Sequence, residues 1–348
     1  MKRITAIVAI LFINIIFQSF FVSGQEFEGH VNYNPFLGNY HPTPFKGAKK
    51  TATSLTLPFF DDFTGYSMYP DSSKWTDFEV FINNTMGASP LSRGVATFDG
   101  LNSNGIPYDS FSNTAFRYAD SLTSQPIDMS ADSAADSVYL SFFYQPQGNG
   151  FYPLPPDSLM LFLKNRYGDF VKIWSVEGSG IQPFKQVMIP ITDSLYFHST
   201  FQFRFINKAA LYWADAVWNV DYIRLDKNRS LSDTAVTDVA FTSNPSFLLN
   251  DYTFMPYGQF MVNHAGESAL FISDSIRNST LINQSVDYGL EIRNVQSGAI
   301  LSAIGTNNIL LGGNTIGEVS EPFSIGTFPT YSADASVVFE TKYYLSTM

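Results

Sequence analysis

The chain has 348 residues, with 31 Asp or Glu against 20 Lys or Arg and a formal net charge of −11; such a surface repels phosphate backbones and argues against nucleic-acid binding. There is no cysteine, which excludes disulfides, thiol chemistry and Cys-ligated zinc, so stability has to come from core burial or bound ions. Hydrophobic residues make up 45%, including 33 Phe and 19 Tyr, and an aromatic excess of this kind suits flat rings packed on pleated strands.

The opening "MKRITAIVAILFINIIFQSFFVSGQEF" has a basic start at Lys2 and Arg3, an apolar run to Val22, and the small residues Ser23 and Gly24. That order reads as a secretory signal peptide over residues 1–24, cleaved near Gly24. The alternative is a single membrane anchor, but Asn14, Gln18 and the small-residue exit favour cleavage. No later segment is apolar enough to span, so the expected product has no membrane span after signal cleavage. Residues 25–54, rich in Asn, Gly, Pro and Lys without a sustained period, read as a flexible leader.

From Leu55 the pattern turns to period-two alternation. Phe201, Phe203 and Phe205 point one way in "FQFRFIN"; Val138, Leu140, Phe142 and Tyr144 share a face in "DSVYLSFFY"; Leu159, Leu161 and Leu163 do so in "DSLMLFLKN". Turn-rich stretches such as "QPQGNGFYPLPPDS" separate these runs, and no long helical period is visible. The expected fold class is all-β: a jelly-roll β-sandwich over 55–229, a polar linker at 230–237, and an immunoglobulin-like β-sandwich over 238–348. The sequence stops directly after the apolar strand "ASVVFETKYYLS", so the second sandwich is expected to be truncated and the chain to be part of a longer product.

Catalytic signatures are missing: the sequence has no HExxH, P-loop, GxSxG elbow or Rossmann fingerprint. The four histidines, His30, His41, His198 and His264, are scattered. No spacing singles out an acidic pair for glycoside hydrolysis, and the expectation is a protein that is not an enzyme. A cation site is the sharper possibility. "LPFFDDF" places Asp61 on a face with Leu57, Phe59 and Phe63, and "WNVDYIRLD" places Asp221 beside Ile223 and Leu225. A carboxylate buried among apolar neighbours costs several kcal/mol unless paired. Terminal strands are commonly neighbours in jelly rolls, so Asp61, Asp62 and Asp221, with Asp99 at a turn, are candidate ligands of a structural Ca2+. The alternative is that Asp221 pairs with Arg204 or Arg224, or caps a turn.

For ligand binding, the loop 145–156 with Tyr144, Phe151 and Tyr152, and the segment "ALYWADAVW" with Tyr212, Trp213 and Trp218, offer rings that stack on sugars if exposed. The same rings would otherwise fill the core. Asp followed by Ser or Thr and an apolar residue recurs, with hydroxyls at Ser121, Ser133, Ser137, Ser158, Ser194, Thr234 and Ser275. This is ordinary turn-to-strand chemistry.

The run "FFDDF", "LTSQPIDMS", "DSVYLSFFYQPQGNG", "DSLMLFLKN", "VKIWSVEGSG", "FKQVMIPI", "FQFRFIN" and "WNVDYIRLD" resembles the MAM-like, concanavalin-like jelly rolls, although the MAM cysteines are absent. With "VFINNT" and "GVATFDGL" the whole pattern is similar to exported surface proteins of Bacteroidota, and the second block resembles CARDB-type immunoglobulin-like modules. The resemblance implies export through the periplasm to the cell surface or medium as type IX secretion cargo, without a C-terminal sorting domain in this sequence. It also implies a structural cation between terminal strands and makes the seven Asp-Ser/Thr hydroxyls resemble O-glycosylation acceptors. Three roles stay open: a non-catalytic adhesin binding a glycan or surface protein, a structural accessory of a type IX secretion or gliding apparatus, and the binding region of a larger secreted hydrolase.

Overall fold

Strand-forming runs dominate the computed structural model, which describes residues 33–39, 54–65, 67–112, 114–234, 236, 238–323 and 337–347. The signal-peptide reading, most of the leader and the stretch 324–336 lie outside the described residues.

The first ten strands build one sandwich. One antiparallel sheet holds β2 (Phe81–Asn83), β3 (Val95–Phe98), β10 (Trp218–Asp226), β5 (Tyr139–Pro146) and β8 (Lys185–Pro190) in that order, with β1 (Phe59–Asp61) also paired to β10. The facing sheet runs β4 (Phe116–Thr123), β9 (Phe203–Ala210), β6 (Ser158–Lys164), β7 (Phe170–Glu177). This is the expected jelly roll. The alternating residues meet in its core: Phe201, Phe203, Phe205, Leu140, Phe142, Leu159 and Leu161 are all fully buried. Rings lock the layers edge to face, with Phe142–Phe205 at 4.8 Å and Phe59–Trp75 at 5.3 Å between centroids. Burying one such side chain contributes up to about 3 kcal/mol.

The terminal strands are neighbours, as the sequence implied: Phe59, Phe60 and Asp61 register against Leu225, Arg224 and Ile223. Strand β10 is not regular, however. A bulge between Asp221 and Arg224, with Tyr222 at φ 52°, breaks the alternation. Val220 and Ile223 therefore both reach the core, and Asp221 is shifted off the face it was expected to share with Ile223 and Leu225.

Part of the leader is packed rather than free. Residues Pro35–Asn39 form a short helix, α1, with Leu37 buried. Asn34 N–H donates to Gly105 O at 2.7 Å, and Phe36 stacks on Phe81 at 6.2 Å. Gly105 sits at φ 71°, and a Cβ there would lie 2.7 Å from Asn34 O.

The second sandwich follows the expected two-layer plan. Its sheets are β11 (Val239–Phe241), β12 (Phe271–Asn278), β15 (Thr315–Pro322), and β14 (Ile300–Leu311), β13 (Gln284–Asn294), β16 (Phe339–Thr347). Ile272, Ile276, Val286, Leu290, Ile292 and Val319 form its core.

Candidate functional site

The outward face of the four-stranded sheet carries side chains that do not serve the core. In β9, Phe203 and Phe205 point inward, so Arg204 and Lys208 point out. Register then lays rows across the sheet: Tyr118, Lys208, Ser158 and Glu177 in one, and Arg204, Phe162 and Lys172 in another. A groove of about 570 Å³ crosses this face, walled by Phe116, Arg117 and Tyr118 of β4, Pro155–Asp157 of the preceding loop, and Lys172, Ser175 and Glu177 of β7.

Each ring of the groove is held in place. Tyr118 is 57% exposed and Phe116 38% exposed. Phe162 meets Tyr118 edge to face at 6.3 Å, the Lys208 ammonium lies 4.6 Å above the Phe116 ring, and Arg204 lies 3.9 Å above Phe170. These contacts fix cations and rings in an alternating pattern. Asp157 closes the loop, accepting Leu154 N–H at 2.6 Å. Burial, aided by the charge of Asp215, pushes its carboxyl up to about 6, against the opposing pull of Leu154 N–H and Lys208. Exposed rings flanked by donors and acceptors form a surface that can stack on a flat apolar face and hydrogen-bond its rim.

The candidate metal ligands fall into two places. Asp61 is satisfied: Lys74 Nζ donates to it at 2.9 Å and Trp75 Nε1 at 2.6 Å. Asp62 forms a local turn, accepting from Thr64 N and Oγ1 at 3.3 and 2.9 Å. Asp221 is fully buried. Its Oδ1 accepts Tyr222 N–H at 2.6 Å, and Ser92 N–H lies close enough to favour the charged form, whereas Oδ2 makes no hydrogen bond of good geometry. Neither expected arginine reaches Asp221, since Arg204 donates to Thr123 and Arg224 pairs with Asp226. Burial, with Asp62 and Asp61 adding repulsion, holds the Asp221 carboxyl well above the usual range. Among the described residues, no three His, Cys, Asp or Glu side chains gather to hold a metal ion.

Asp99 does not join that seam. It accepts Leu101 N–H at 3.0 Å and lies with Asn34, near Asp120. Asp120 is also fully buried, accepting Gly100 N–H at 2.8 Å, Tyr108 Oη–H at 3.0 Å and Asn207 Nδ2–H at 3.2 Å. Burial of both carboxyls, and Asp99 acting on Asp120, raises the pair. The sequence reading misassigned Asp99 because a turn residue carries no period from which its neighbours can be inferred.

The sequence-derived ligand residues also divide. Tyr144 belongs to the core, packed edge to face on Trp174 at 5.2 Å, and Trp218 is fully buried. Tyr212 and Trp213 are half-buried and pack on each other at 4.3 Å, with Trp213 Nε1 bonded to Asp215. Phe151 and Tyr152 are exposed, but they do not line the groove. The groove residues Phe116, Tyr118, Lys172 and Lys208 were not singled out from sequence. The available signal was an outward aromatic in "AFRYAD" facing outward cations in "RFINKAA".

Of the Asp-Ser/Thr hydroxyls, Ser133, Ser137, Ser194 and Thr234 are exposed outside strands. Ser121, Ser158 and Ser275 are strand residues and half-buried. Ser121 Oγ donates to Asp77 and Glu79 at 2.7 and 3.0 Å.

No family model matches the chain, and no curated protein does. Among solved structures, it is similar to the arabinose-bound MgGH51 α-L-arabinofuranosidase at TM-score 0.32 and 12% identity, over 49% of this chain and 26% of that one. The tandem CBM22-1–CBM22-2 domains of Paenibacillus barcinonensis Xyn10C give TM-score 0.29 and 10% identity, over 85% and 92%. Bacteroides uniformis β-glucuronidase gives 0.29 and 10%, over 69% and 26%. At such scores these likenesses carry no argument about what the chain binds.

Proposed function

We propose that this is a non-catalytic, exported surface or extracellular protein whose first sandwich binds a glycan in the groove on the four-stranded sheet. The observation that carries the reading is an exposed, contact-fixed Tyr118 and Phe116 in a groove also lined by Lys, Asp, Glu and Ser. Pyranose rings present one apolar face and a rim of hydroxyls, which such a surface matches. Export is supported by the basic-apolar-small order of residues 1–24. The test is binding of the full chain to a polysaccharide panel, compared with Tyr118→Ala. The variant should melt like the parent, because Tyr118 is 57% exposed, and lose about tenfold in affinity. Unchanged affinity would remove the groove from consideration.

We also propose a structural Ca2+ at the seam of β1 and β10, held by Asp221 and Asp62. Ionised, Asp221 is a buried charge opposed only by the Tyr222 and Ser92 N–H groups; protonated on Oδ2, it is a donor without an acceptor. A cation relieves both, taking its other ligands from backbone carbonyls and water. Adding Ca2+ should raise the melting temperature, EDTA should lower it, and Asp221→Asn should abolish the response. No response in the parent chain would refute the ion.

A further inference from the structure

The groove is more basic than the chain that carries it. Acidic residues outnumber basic ones 31 to 20 overall, yet Arg117, Lys172 and Lys208 wall the groove, and Arg204 shares its sheet face. Arg117 pairs with Asp109 at 3.9 Å, but among the described residues neither Lys172 nor Lys208 has a carboxylate within ion-pair distance, whereas Lys74 and Lys227 each do. Of the two groove carboxylates, Asp157 is turned into the Leu154 backbone, which leaves Glu177 at one end.

Lys208 is poised over Phe116 of β4 and Arg204 over Phe170 of β7, so two cation–ring pairs stand on this face, their cations four residues, or about 13 Å, apart along β9. Cations without an ion-pair partner, held beside rings, are complementary to a chain that carries both ring faces and anionic substituents.

We infer that the groove takes an anionic polysaccharide, one bearing carboxylates or sulfates, with Lys172 and Lys208 pairing to the acidic groups while Phe116 and Tyr118 carry the sugar rings. This rests on the glycan-binding reading and adds the charge class of the ligand. The acidic surface of the rest of the chain then confines such a ligand to this face.

The experiment measures affinity of the full chain for polygalacturonate, alginate and chondroitin sulfate, for the neutral polymers arabinoxylan and xyloglucan, and for an oligo-dT strand as an anionic chain without pyranose rings. The expected result is binding to at least one acidic polysaccharide, weakened about tenfold or more between low salt and about 0.5 M NaCl. Lys172→Gln and Lys208→Gln should each weaken it about five- to tenfold without changing the melting temperature. Neutral polymers binding as tightly as acidic ones, with no effect of either lysine, would overturn the charge class and leave glycan binding standing. Binding to no polysaccharide would overturn both. Oligo-dT binding as tightly as the acidic polysaccharides would overturn the inference in favour of plain charge attraction.

Discussion

Replacing Asp157 with Asn tests whether the groove wall pays for a buried charge. Asp157 is 4% exposed, and burial lifts its carboxyl from 3.8 to about 6. Between those values the folded chain binds the proton and the unfolded chain does not. Stability from this group is therefore fully present below about pH 4, falls as pH rises through about 6, and then levels off. A rise from 3.8 to about 6 corresponds to about 3 kcal/mol of lost stability at neutral pH, at about 1.36 kcal/mol per pH unit. In Asp157→Asn the amide oxygen still accepts Leu154 N–H, and no charge forms at any pH. The variant should gain about 2–3 kcal/mol at pH 7 and nothing at pH 4, which is a melting shift of about 5–10 °C for a sandwich of this size. Thermal melts of both chains across this range, followed by tryptophan fluorescence, read the difference directly. A difference that is the same at pH 4 and pH 7 would refute the reasoning.

Three further outcomes follow from named contacts. Trp75→Phe removes the 2.6 Å bond to Asp61 Oδ2 and puts a smaller ring at a fully buried site, and should cost about 3–5 kcal/mol in urea unfolding. Asp120→Ala leaves Gly100 N–H, Asn207 and Tyr108 without their acceptor, and calorimetry should show a loss of about 3 kcal/mol, larger than that of Asp120→Asn. Gly94→Ala puts a Cβ 1.8 Å from Phe63 O; the chain around Phe63 has to move, and the variant should melt well below the parent.

The architecture was legible in the sequence because its core is built from strict alternation. Phe201, Phe203 and Phe205, or Leu159, Leu161 and Leu163, need only period two to be sorted inward, and all are buried. Pairing of "FFDDF" with "WNVDYIRLD" was legible because terminal strands of a jelly roll are commonly neighbours. The bulge at Asp221 was not, since a residue inserted into a strand leaves no compositional mark when Tyr222 takes φ 52°. The groove was missed for a different reason. Sequence reading weighted aromatics in Gly- and Pro-rich loops, whereas Phe116 and Tyr118 sit on a strand and become a site only when register sets Lys208 beside Tyr118. Tyr144 was misplaced because a ring at the end of an alternating run looks the same whether it caps the core or leaves it.

Strand β10 pairs with β1, β3 and β5, so the one segment that gathers half of its sheet is the last to be made. Until residues 218–226 leave the ribosome, Phe59, Ala96 and Leu140 have no common partner, and the earlier strands present open edges. The larger sheet of the first sandwich therefore cannot close before residues 218–226 are made, and it closes through contacts of long sequence separation.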